Sequence, residues 1–98
     1  MTIACKQTFK AYSDAGHGWV AVKRWMINQL DIADEITRFS YQRGKTVYLE
    51  EDQDAYTFIK AYQAVTGFPP RFIEGKHCDT SPIRSYDRYA KNTSNHVA

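Results

Sequence analysis

The stretch from Glu50 to Pro70 constrains the fold of this chain more than any other part of it. Ala55, Phe58, Ile59, Tyr62 and Val65 recur at i, i+3, i+4, i+7 and i+10, which on a helical period forms a single apolar stripe. Asp52 or Asp54 stands where a helix N-cap is wanted, Gly67 where a helix ends in left-handed backbone, and Pro69 and Pro70 forbid continuation. The pattern predicts a helix over 54–66. Just before it, Thr37, Phe39 and Tyr41 alternate with Arg38, Ser40 and Gln42, Arg43-Gly44 supplies a tight turn, and Val47 and Leu49 point inward from a returning strand. A helix that follows a hairpin this closely is expected to lay its stripe across one face of the sheet. The expected core is Phe39, Tyr41, Val47, Leu49, Phe58, Ile59 and Tyr62.

Elsewhere the pieces are short. Gln7 to Tyr12 and Trp19 to Lys23 alternate like strands on either side of the turn residues Ser13 to Gly18, and Trp25, Met26, Ile27 and Leu30 have helical spacing. Arg71 to Lys76 and Ile83 to Tyr89 have strand-like composition. Together these predict an α+β domain over residues 1–90: an antiparallel sheet of about four to six short strands, the main helix over about 54–66 on one face, and a short helix over about 24–30. The segment 91–98 carries no apolar stripe and is expected to be a disordered tail.

With 98 residues, 43% of them hydrophobic and 14% aromatic, the chain has material for one core and no second domain. Its 13 Lys and Arg against 11 Asp and Glu give a net charge of +2, which does not by itself call for nucleic acid or an anionic membrane. No run approaches the ~18 apolar residues of a membrane span, so no membrane association is expected. Met1 to Thr8 offers no apolar core for a secretory signal, and a cytoplasmic location follows as the expectation. Cys5 and Cys78 are then expected to be reduced.

The ligand-bearing residues are scattered: His17 stands alone, His77 and Cys78 are adjacent and would point to opposite faces of a strand, and His96 lies in the tail. Neither a metal nor a cofactor is expected. Glu50, Glu51, Asp52 and Asp54 put four carboxylates into five residues at a strand end and helix mouth, where capping uses one or two and the others suit a docking patch. In Gly16-His17-Gly18-Trp19 a flexible turn presents Trp19 as an aromatic anchor, or else lets it pack over the sheet edge. Arg84, Tyr86 and Arg88 interleave cations with an aromatic and, on a strand, would share one face as a stacking surface for nucleic acid. No nucleotide-cradling glycine motif occurs.

The runs Gly16-His17-Gly18-Trp19, Ser40-Tyr41-Gln42-Arg43-Gly44, Tyr48-Leu49-Glu50-Glu51-Asp52-Gln53-Asp54-Ala55 and Pro82-Ile83-Arg84-Ser85-Tyr86 resemble a group of small proteins encoded by phages, prophages and plasmids. The resemblance spans Phe9 to about Tyr89 and implies genomic context rather than catalysis, since that group has no assigned activity. The expected function is therefore non-enzymatic: a mobile-element protein, of the anti-CRISPR kind, that binds and inhibits or redirects a host or defence protein complex. Its expected contact residues are Glu50, Glu51, Asp52, Asp54, Trp19, His17, Arg84, Tyr86 and Arg88. The alternative is a small nucleic-acid-binding accessory protein using the Arg and Tyr strand.

Overall fold

The computed structural model describes Ile3 and residues 7–91. The expected disordered tail, beyond Lys91, lies outside the described residues, as does Cys5. Among the described residues, six strands form one sheet: β1 (Thr8–Ser13), β2 (Gly18–Lys23), β3 (Tyr41–Arg43), β4 (Thr46–Glu50), β5 (Arg71–His77) and β6 (Asp87–Arg88), in the spatial order β5-β1-β2-β4-β3-β6. Two helices accompany them, α1 (Arg24–Gln29) and α2 (Asp54–Thr66), with a 3₁₀ turn over Pro82–Ser85. This is a small α+β fold.

The sheet is mixed where an antiparallel one was expected. β5 lies parallel to β1, with Phe9 opposite Phe72, while every other neighbouring pair is antiparallel. The reason is α2: it carries the chain from the end of β4 back across the sheet, so β5 runs in the same direction as β1, as a helical crossover requires.

Alternation divides the side chains between two faces. On the helix face, Phe9, Val20, Val22, Val47 and Leu49 meet Phe58 and Tyr62 of α2 and Met26 and Ile27 of α1 in one buried cluster. Phe9 stands edge-on to Phe58 at 5.0 Å and to Tyr62 at 5.6 Å. Tyr62 also accepts a hydrogen bond from the Gln7 amide at 2.9 Å through its hydroxyl, which ties the helix to the start of β1. The expected stripe needs two corrections: Ile59 is only half-buried, packed against the margin of the cluster, and Val65 is 62% exposed, so the buried stripe of α2 is the narrower Ala55, Phe58 and Tyr62. Gly67 closes the helix at φ 82° as its position foretold, its amide bonded to the Gln63 carbonyl at 2.9 Å.

The other face carries Tyr12, Trp19, Tyr41 and Tyr48, with Ile83 and Tyr86 packed against them in a second, smaller cluster. Tyr41 is thus a core residue, as expected, but of this second cluster. Phe39 is not in either core. At 66% exposure it projects from a turn, because the chain does not become a strand until Tyr41. The cause is Asp54, which is fully buried and accepts from the Thr37 amide at 3.0 Å, the Thr37 hydroxyl at 2.7 Å and the Ser40 hydroxyl at 2.5 Å. Side-chain bonds of this kind compete with a strand ladder and bend the backbone into a turn. No helix among the described residues is long and apolar enough to cross a membrane.

Candidate functional site

The site is built around Asp14. Its Oδ1 accepts from the Gly16 amide at 2.9 Å and the His17 amide at 3.0 Å, closing the turn ahead of Trp19. Its Oδ2 accepts from the Ser81 amide at 2.9 Å and from Arg84 Nε at 2.5 Å, while Arg84 Nη2 reaches Oδ1 at 2.9 Å. The guanidinium beside it, followed by these amides, holds the Asp14 carboxyl well below the usual carboxylate range, against the opposing effect of burial. Paired in this two-toothed way, Arg84 lies over the Trp19 ring, 5.6 Å from its centroid. The same carboxylate therefore pins both the Gly16–Trp19 turn and the 3₁₀ turn, whose Arg84 is 70 residues from Asp14 in sequence.

At the far side of Trp19, edge-on at 6.2 Å, stands Tyr41, and the Arg88 guanidinium lies 4.6 Å over that ring. Arg88 also donates to the Arg38 carbonyl at 3.3 Å. The end of β4 closes the arrangement. The Glu50 carboxylate folds back to accept from the amides of Asp52 at 2.8 Å and Gln53 at 3.1 Å. Neither Asp52 nor Asp54 is the N-cap of α2: that residue is Gln53, without a side-chain cap. The result is a cleft of about 400 Å³ lined by His17, Trp19, Phe39, Tyr41, Glu50, Asp52, Gln53, Arg84 and Arg88.

Six of the residues singled out from sequence thus meet in one place: His17, Trp19, Glu50, Asp52, Arg84 and Arg88. They do so differently from the expectation. Trp19 is 2% exposed, packed on the sheet as the second of its two expected readings had it, and lines the cleft from below instead of protruding as an anchor. Asp54 is buried beneath the Phe39 turn and is no part of a surface patch, and Glu51, though exposed, lies outside the cleft. Tyr86 is also elsewhere, packed on Tyr48 at 5.2 Å with Arg43 4.9 Å over its ring. The Arg84, Tyr86 and Arg88 strand does not form: a 3₁₀ turn followed by a two-residue strand sends the three side chains to Trp19, Tyr48 and Tyr41 in turn.

Four contributors escaped the sequence reading as site residues. Asp14 carried a signal, since Ser-Asp-x-Gly is turn chemistry with the Asp bonded to amides ahead of it. Phe39 carried a misleading one, its alternation with Tyr41. Gln53 carried none, and Tyr41 was expected only in the core.

Most of the charge in the cleft is committed inside the protein, Arg84 to Asp14 and Glu50 to backbone amides. The exposed groups His17, Phe39, Asp52, Gln53 and Arg88 are left to face whatever enters. Among the described residues, no group of three or more His, Cys, Asp or Glu side chains is placed to hold a metal ion. Compared with known protein families, with characterised proteins and with solved structures, the chain matches none.

Proposed function

We propose that this chain is a non-enzymatic docking protein that seats the cleft around Phe39 on a protein complex of a host cell or its defence machinery and inhibits or redirects it. One observation carries the proposal: Phe39, a large apolar side chain 66% exposed at the cleft rim, stands on a turn fixed from beneath by a fully buried carboxylate. Exposed phenylalanine on a loose loop pays an ordering cost on binding, and here that cost is met during folding. Aromatic side chains set centrally among polar neighbours contribute most of the energy at protein interfaces. Asp52 and Glu51, both exposed nearby, favour a basic partner surface and act chiefly on the rate of encounter.

The sequence runs that resemble small phage, prophage and plasmid proteins supply much of this cleft, which agrees with an inhibitor working by stoichiometric binding in the host cytoplasm. The test is quantitative affinity capture from host cells with the parent chain, Asp52→Lys and Phe39→Ala. The expected result is a protein or complex held by the parent and reduced at least tenfold by both exposed-site changes while the variants melt like the parent. An identical retained set for all three, or an empty one, overturns the proposal.

A further inference from the structure

The sheet face opposite the helices carries a second surface, separate from the cleft. The segment from Ser81 to Arg88 crosses this face, touching Asp14, Trp19, Tyr48 and Tyr41 on its way, and leaves the far ends of the strands uncovered. There a depression of about 330 Å³ runs from Tyr12 and Tyr48, past Ala21, to the strand ends, where Phe9 and the α1 residues Trp25 and Met26 also line it, with Lys10 and Lys23 exposed on its margins. The rings of Tyr12 and Tyr48 are 6.1 Å apart and inclined by 60°, and both are half-buried, so each is held while part of it stays open.

The strand register decides the electrostatics. Lys10, Lys23, Arg43 and Arg71 all fall on this face, from β1, β2, β3 and β5. Among the described strand residues the one carboxylate that alternation brings to the same face is Glu50, which lies at the opposite end and is folded onto backbone amides, and Asp14 beside that end is paired with Arg84. From Arg71 to Arg43 the cations span five adjacent strands, about 19 Å at ~4.8 Å per strand. Chain-wide the charge is nearly balanced, so this is a local segregation that a net charge of +2 conceals.

We infer that this face binds single-stranded nucleic acid, with bases stacked on Tyr48 and Tyr12 and phosphates paired with Lys10, Lys23, Arg43 and Arg71. Stacking on an aromatic platform flanked by cations is the general mode of sequence-tolerant single-strand binding. A duplex hides its base faces and cannot use the tyrosines. Nothing in this geometry reads the sugar, so DNA and RNA strands are bound alike.

The experiment is fluorescence anisotropy of the full chain with labelled dT and rU 12-mers, a 12-base-pair duplex, and poly-glutamate as a competitor of matched charge. Both single strands are expected to bind, and three to four phosphate contacts weaken binding roughly 20- to 50-fold between ~0.05 and ~0.2 M salt. Lys10→Glu with Lys23→Glu, at exposed positions, is expected to lower affinity at least tenfold and flatten that salt dependence. Tyr48→Leu removes one stack and is expected to cost roughly 5- to 150-fold, whereas Phe39→Ala in the cleft leaves binding unchanged, which keeps this inference separate from the docking reading. Absence of binding at low salt, equal binding of duplex, restriction to one sugar, equal competition by poly-glutamate, or an unchanged Lys10→Glu, Lys23→Glu variant would each overturn it.

Discussion

The two faces of the sheet are built from different materials. Beneath the helices, aliphatic and aromatic side chains close a dry cluster in which Val47, Leu49, Phe58 and Tyr62 have no exposed surface. On the other face a buried cluster of only Trp19, Tyr41 and Ile83 sits among guanidiniums laid over rings and a carboxylate that pins two turns. A dry face gets its stability from apolar burial, which depends little on pH or salt. A face of rings and charges keeps its chemistry near solvent and is tuned by both. One sheet thus carries a core on one side and an open surface of rings and charges on the other: alternation sends the first to odd positions of β1 and the second to even ones.

Three substitutions sharpen that division, in descending order of effect. Phe58→Ala opens a cavity at the centre of the dry face and should cost about 3–5 kcal/mol, a large part of the ~5–15 kcal/mol typical of such a domain. Denaturant unfolding should show nearly the same loss at pH 5 and pH 8. A variant as stable as the parent would mean that the helix face is not the main core.

Gly75→Ala probes the seam where β5 joins the open face. A Cβ at Gly75 would fall 2.6 Å from the Tyr12 ring, so the ring must move, at a cost of about 1–3 kcal/mol. Combining it with Tyr12→Ala should remove most of that extra cost. Simple additivity of the two changes in a double-mutant cycle would contradict the contact.

The smallest of the three effects is set by pH. Folding lowers the acidity range of Asp14 through Arg84 and the surrounding amides. A carboxylate depressed in the folded state adds stability that is complete above its unfolded value of about 3.9 and is lost as pH falls toward the folded one. Asp14→Asn should therefore melt below the parent at pH 7, with the gap narrowing steadily below about pH 4. A gap that stays constant from pH 7 to pH 2.5 would show that the carboxylate's charge is not what stabilises the two turns.

Much of the dry face was legible in the sequence, because periodicity reports burial directly. Ala55, Phe58 and Tyr62 lie on the predicted stripe, and Gly67 ends the helix where expected. The open face was not legible in the same way. Phe39 alternates with Tyr41 as a strand residue would, but Thr37 and Ser40 give their hydrogen bonds to Asp54, and the competition between side chain and ladder is won by the side chain. The four carboxylates from Glu50 to Asp54 look alike in sequence and have four different environments, since one is buried, one caps amides, and two face solvent in different places. The cleft depends on pairings such as Asp14 with Arg84 that no local pattern encodes. The parallel placement of β5, likewise, follows from the path of α2 and not from the composition of β5 itself.

If Phe39 is the docking side chain proposed above, its exposure serves a partner and adds little to the stability of the chain. Phe39→Ala, measured side by side for unfolding free energy and for retention of the captured partner, tests it most directly. The expected result is a stability within about 0.5 kcal/mol of the parent, as for an exposed side chain away from the core, together with at least a tenfold loss of the partner. A variant that loses several times that stability, or one that keeps the partner undiminished, would contradict it.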